Sequence, residues 1–221
     1  MRSMNARTRI KICGMREMTE VAGVVAAGVD AIGLIFAPQS PRYIDPERAR
    51  EIVAGLPPFV EAVGVFVDQE AAKVNEIVRY CGLTMVQLHG AESPACCAEI
   101  SCRVMKAFRV RESLTTEELA PYAGGVAAFL FDTFHEKIAG GTGQTFAWHL
   151  LEKLASPRPV VLAGGLTPEN VGEAIRQARP FAVDLNSGVE SAPGRKDLAR
   201  VRAAIAQVAA ADAALRVSLT A

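Results

Sequence analysis

Arg9-Ile10-Lys11-Ile12-Cys13-Gly14 is a short β-type run closed by a glycine, and residues 18–27 behind it carry a helical pattern of Ala, Val and Glu. This strand-then-helix unit recurs along the chain. Candidate strands cover 9–13, 30–36, 61–67, 84–88, 104–109, 127–132, 159–163 and 182–185. Candidate helices cover 18–27, 46–55, 69–81, 92–101, 114–121, 146–155, 168–178 and 195–212. Most of the strands are continuous apolar runs, the mark of strands buried on both faces of a parallel sheet. Two helix starts are signposted: Asp45-Pro46-Glu47 and Thr167-Pro168-Glu169 each set a capping residue before a proline and an acid. Eight such units in 221 residues predict a single (β/α)8 TIM barrel near the lower end of its size range. An open doubly wound sheet is the competitor, and the lack of a GxGxxG after the first strand counts against it.

No linker or composition break divides the chain, so 1–221 reads as one barrel domain, with 1–8 and about 212–221 as peripheral ends. Half the residues are hydrophobic (50%) and 22% are charged, enough apolar surface for a substantial core. Twenty-four Lys and Arg balance 24 Asp and Glu, which gives neither a nucleic-acid footprint nor a basic membrane patch. No apolar run approaches the ~20 residues a membrane helix needs. The opening Met1–Arg7 is short and polar, and is not read as a secretory signal. The cysteines Cys13, Cys81, Cys96, Cys97 and Cys102 are odd in number and scattered, without zinc or CxxC spacing. No metal is expected, and free thiols in a reducing cytoplasm are.

In a parallel barrel the C-terminal ends of all strands converge on one face, where such folds do their chemistry. Three segments deliver reactive groups there: Lys11-Ile12-Cys13-Gly14, Phe131-Asp132-Thr133, and Asp184 to Glu190. Cys13 ends its strand in alternation with Lys11, so its thiol points to the mouth; to act as a base it needs nearby positive charge. Otherwise it is a small buried hydrophobe. Asp132 closes the apolar run Ala-Ala-Phe-Leu-Phe, where part-burial favours its protonated form and a general-acid role. Its bland alternative is a loop cap. Asp184 suits a structural role or a substrate-hydroxyl contact. Gly164 and Gly165 close the seventh strand, and Ser187 and Gly188 follow the eighth; glycine lets backbone N–H groups approach an anion, and these two loops are the habitual phosphate site of barrels. Pro38 and Pro41 stiffen the loop that presents Arg42, apt for a carboxylate or a ring. His89, after Gln87 and Leu88, can titrate or donate, or simply be a satisfied structural histidine. Gly140-Gly141-Thr142-Gly143 either closes over substrate or only connects, and His135 and His149 carry no motif.

Taken together and in order, KICG (11–14), SPRY (40–43), VGVFV (63–67), QLHG (87–90), FDT (131–133), GGTG (140–143), AGGLTPENV (163–171), DLNSGVE (184–190) and PGRKD (193–197) resemble the phosphoribosylanthranilate isomerase family from about residue 9 to 205. The resemblance implies a (β/α)8 barrel with no metal or organic cofactor. It also implies conversion of N-(5-phosphoribosyl)anthranilate to 1-(2-carboxyphenylamino)-1-deoxyribulose 5-phosphate by an Amadori rearrangement, the third step of tryptophan synthesis from chorismate. Carried over by residue, it implies Cys13 as general base and Asp132 as general acid. Arg42 would face the anthranilate moiety, and Gly164, Gly165, Ser187 and Gly188 would hold the phosphate. One departure is Ala147 before Trp148, where the family often has an aspartate. Related phosphate-binding barrels of histidine or tryptophan synthesis use carboxylates or lysine, so the first-strand cysteine argues against them. A non-catalytic phosphate-metabolite-binding barrel is the alternative, and it gives no reason to keep Cys13 and Asp132 beside the phosphate loops. The expected partners are a small phosphorylated substrate and, at most, a second copy: monomer or homodimer, in the cytoplasm, with no nucleic acid or membrane.

Overall fold

The computed structural model describes residues 7–110, 115–132, 148, 151 and 154–220. Most of the expected helix 146–155, the 140–143 loop, Thr133, His135, Ala147 and His149 lie outside the described residues. Eight parallel strands close into a barrel: β1 Arg9–Ile12, β2 Ala31–Ile35, β3 Glu61–Phe66, β4 Met85–Leu88, β5 Arg103–Arg109, β6 Ala128–Asp132, β7 Val160–Ala163 and β8 Ala182–Leu185. Closure is the pairing of β1 with β8, which sets Ile10 against Val183 and Lys11 against Asp184. Outside stand α1 Met18–Ala26, α2 Pro46–Ala54, α3 Ala71–Cys81, α4 Pro94–Glu99, α5 Thr116–Leu119, α6 Val171–Ala178 and α7 Leu198–Thr220.

Strand periodicity sorts side chains into two layers. Ile10, Ile12, Phe129, Phe131, Val183 and Leu185 pack outward with helix residues such as Val24, Ile52 and Ile175. Val63, Met105, Ala128, Leu130, Val161 and Ala182 fill the barrel interior. Cys13, Ile35, Ala37 and Val65 form a small apolar tier above them, at the mouth. Lys11, Gln87 and Asp184 fall in the same inward phase, as polar residues among apolar ones.

Several helices depart from their sequence-derived bounds, each for a local reason. Asp45 caps α2 as expected, accepting from Arg48 N at 3.0 Å. Helix α4 is shorter than 92–101: Ser93 accepts from Cys96 N and caps it, while the Glu92 carboxylate is engaged elsewhere. Pro121 turns the end of α5 into the 3-10 turn Ala120–Tyr122. Thr167 does not cap α6. Asn170 accepts from Thr167 N at 2.8 Å and donates to Gly165 O at 2.9 Å, making a turn that delays the helix to Val171. The span 195–212 is corrected most. Arg195–Lys196 is a strand, β10, paired with β9 Glu190–Ala192, and α7 then runs on to Thr220. At the foot of the barrel Thr8 N and Oγ1 both donate to Asp212, at 2.7 Å each.

Candidate active site

The mouth of the barrel is built on buried ion pairs. Lys11 Nζ donates to Asp184 Oδ2 at 2.7 Å, with both side chains almost wholly enclosed. Leaving either charge there alone would cost about 3–5 kcal/mol. Burial opposes the Lys11 ammonium, but Asp184 and then Cys13 outweigh it and hold its pKa above the ordinary lysine value. Burial likewise pushes the Asp184 carboxyl up, against the pull of Lys11. Asp184 Oδ1 is buried and finds no hydrogen-bond partner among the described residues.

Cys13 lies beside this pair, 4% exposed. Burial pushes its thiol up; Lys11 and, more weakly, Lys196 pull it back. The positive charge that a thiol base needs is at hand, but so is desolvation. Arg42, after β2, is held by more than its prolines. Its Nε and Nη2 donate to Glu190 Oε1 and Oε2 at 2.8 and 2.6 Å. Lys196 Nζ, fully enclosed, donates to the same Glu190 at 2.7 Å and to Asn186 Oδ1 at 2.9 Å. Burial holds Lys196 below its ordinary value, and Arg42 and Lys196 overcome burial to hold Glu190 below its own.

Across the ring, Asp132 ends β6, two strands removed from β8. His89 Nε2 stands 3.3 Å from Asp132 Oδ2. The Gln87 amide stands 2.8 Å from His89 Nδ1 and orients the ring so that Nε2 faces the aspartate. The loop behind His89 is pinned by Glu92, whose carboxylate accepts from Asp68 N, Gly90 N and the buried Lys106 Nζ, each within 3.0 Å. A cavity of about 490 Å³ opens beside His89, walled by Val67, Phe108, Arg109 and Tyr122. Asp184 joins the two halves: Lys11, His89 and Asp132 all lie within its electrostatic reach.

Gly164 and Gly165 adopt φ of 92° and 64°, which a side chain would resist. Gly188 is fixed by contact instead. A Cβ there would sit 1.9 Å from Leu166 O, so the loops after β7 and β8 press together as one surface. Exposed Ser187 opens the turn Ser187–Val189 beside them. Arg200, on α7, ties both loops from behind, donating to Gly188 O at 3.0 Å and pairing with Glu169 at 3.2 Å.

The fold thus gathers Cys13, Arg42, His89, Asp132 and Asp184 at one mouth, with the glycine loops on its rim. Residue reasoning passed over Lys11, Gln87, Glu92, Lys106, Glu190 and Lys196. Two of these carried a signal: Lys11 and Lys106 are charges inside apolar strands, which a strand keeps only when they are paired.

A family model described as N-(5'phosphoribosyl)anthranilate (PRA) isomerase matches residues 10–207. The chain is 48% identical over 194 residues to the N-(5'-phosphoribosyl)anthranilate isomerase of Geobacter metallireducens, covering 88% of this chain and 95% of that one. Among solved structures, the phosphoribosyl anthranilate isomerase of Thermotoga maritima is similar at a TM-score of 0.80 and 40% identity, over 92% of this chain and 99% of the other. A second Thermotoga maritima structure, of monomers made from that dimeric isomerase, gives 0.77 and 38%, over the same shares.

Proposed function

The chain belongs to the N-(5'-phosphoribosyl)anthranilate isomerase family, and from that premise we propose that Cys13 and Asp132 are the base and acid of its reaction. The enzyme converts N-(5-phosphoribosyl)anthranilate to 1-(2-carboxyphenylamino)-1-deoxyribulose 5-phosphate, an Amadori rearrangement of tryptophan synthesis. The non-catalytic binder is not favoured beside relatives that carry this name.

Asp132, protonated, donates to the furanose ring oxygen, and the ring opens to an iminium. The positive nitrogen acidifies the C2 proton; Cys13, as thiolate, removes it and leaves an enolamine, which tautomerises to the aminoketone. Each proton transfer is worth about 10²–10⁴-fold. Gly164, Gly165, Ser187 and Gly188 hold the phosphate over β7 and β8, which positions the sugar between acid and base. The aromatic end then reaches over the opposite strands, toward Arg42 and the cavity beside His89. The free Oδ1 of Asp184 accepts a substrate hydroxyl. The observation that carries this assignment is that Cys13, just past the end of β1, and Asp132, at the end of β6, meet at the C-terminal mouth of one closed parallel barrel. Loss of anthranilate fluorescence as substrate is consumed tests it. Asp132→Asn should fold, bind a product analogue and lose turnover by about 10²–10⁴-fold; undiminished turnover would remove Asp132 from the mechanism.

The five free cysteines suit a reducing compartment, and we place the enzyme in the cytoplasm as one domain spanning 1–221. Among the described residues no helix is long and apolar enough to cross a membrane. A second copy is the protein partner that the foot of the barrel suits. Phe59 is fully exposed there at φ 71°, beside a cavity of about 360 Å³ in which Val60, Met85 and Phe181 are rimmed by Arg9, Asp30, Glu61 and Arg103. Two-fold docking lets each copy's Phe59 cover the other's cavity.

A further inference from the structure

Lys11 takes no part in the rearrangement, yet it is an enclosed ammonium in the same gap as the thiol. Gly33 of β2 makes the room. A Cβ at that position would stand 2.6 Å from Cys13 Sγ and 3.0 Å from Lys11 Nζ, so the two groups, two residues apart at the end of β1, close on one point. On its far side the ammonium is fixed by Asp184 at 2.7 Å. We infer that Lys11 is a positioning residue for Cys13: it holds the negative form of the thiol in an apolar tier that would otherwise reject it, and Asp184 holds Lys11 in place. The inference rests on Cys13 being the base of the reaction.

The groups that face Cys13 come from four places. They are Lys11 on β1, Asp184 on β8, Lys196 on β10, and Arg42 after β2. The apolar residues that cluster with Cys13, namely Ile35 of β2, Ala37 just beyond it and Val65 of β3, carry no charge. Arg42 and Lys196 already share Glu190, so much of their charge is spent there. Of the three cations, Lys11 is the one whose ammonium shares with the Cys13 sulfur the gap left by Gly33. Its effect and that of Asp184 have opposite signs: Lys11 favours the thiolate, and Asp184 disfavours it while anchoring Lys11.

That difference of sign makes a test that general loosening of the barrel cannot imitate. The pH dependence of Cys13 alkylation by iodoacetamide is followed by mass spectrometry in the intact enzyme, without turnover. In Lys11→Met the midpoint should rise by about one to three pH units, the range for an opposite charge at close quarters. In Asp184→Asn it should fall, and in Lys11→Arg it should stay near wild type. Turnover in Lys11→Met should drop in kcat with KM little changed, because the phosphate grip is untouched. An unmoved midpoint in Lys11→Met, or shifts of the same sign in Lys11→Met and Asp184→Asn, would overturn the proposal. Should Lys11→Met not fold, Lys11→Gln takes its place: a raised midpoint supports the role and an unmoved one removes it. Full turnover in Cys13→Ser would sink the base assignment and yet leave these midpoints, and the hold of Lys11 on the thiol, standing.

Discussion

Cys13→Ser should be nearly inactive at unchanged melting temperature, because a hydroxyl is far too weak a base, while replacing the other four cysteines together should leave kcat near wild type. A fully active serine variant would send the search for a base to other inward-facing residues. The other cysteines differ from Cys13 in their surroundings. Burial pushes Cys81 and Cys97 up to about 11. The folded chain therefore keeps thiol protons that the unfolded chain, with thiols near 9.0, has released. Stability from these two groups is whole below pH 9 and drains away as pH climbs through about 11. Cys81→Ala with Cys97→Ala should flatten that alkaline decline in denaturant titrations; a decline as steep as in wild type would mean other groups cause it. At this scale the sequence exposed the groups that end strands, Cys13, Asp132 and Asp184. It hid their partners. Lys11 meets Asp184 across 173 positions and Arg42 meets Glu190 across 148, and one chain without its fold carries no record of such pairings.

Strands were legible almost to the residue, since a strand buried on both faces must be apolar throughout and its ends show as a change of chemistry. Helix bounds were less so, because tertiary contacts set them. The Glu92 carboxylate, drawn into the His89 loop, takes the first turn away from α4, and Asn170 bends back to Gly165 before α6 can begin. The β9–β10 hairpin escaped notice for the same reason: Lys196 looks like the start of a basic helix until Glu190 and Asn186 claim its ammonium. The loops after β7 and β8 are better tested as a pair. Ser187→Asp puts a negative charge where the phosphate is placed, and should raise KM roughly tenfold or more, at least ~1.4 kcal/mol of binding, with the melting temperature nearly unmoved. An unchanged KM would place the phosphate elsewhere and leave the two loops as turns.

For the molecule as a whole, the two faces of the barrel have separate tasks: chemistry at the mouth and, by the present proposal, pairing at the foot. Phe59 is held in a backbone conformation that bulky residues avoid, with nothing of its own chain to cover it. Covering such a ring is worth about 1.5–3 kcal/mol per copy. Phe59→Lys should turn a dimer into a monomer in sedimentation experiments while leaving kcat in place; a wild-type chain that sediments as a monomer at all concentrations would refute the pairing. The clasp between Thr8 and Asp212 has a consequence for anyone who builds with this barrel. The first strand and the last helix are tethered to each other at the pole away from the mouth. A second catalytic module spliced below that clasp would hang clear of the entrance, free to hand a metabolite around the rim without shadowing it.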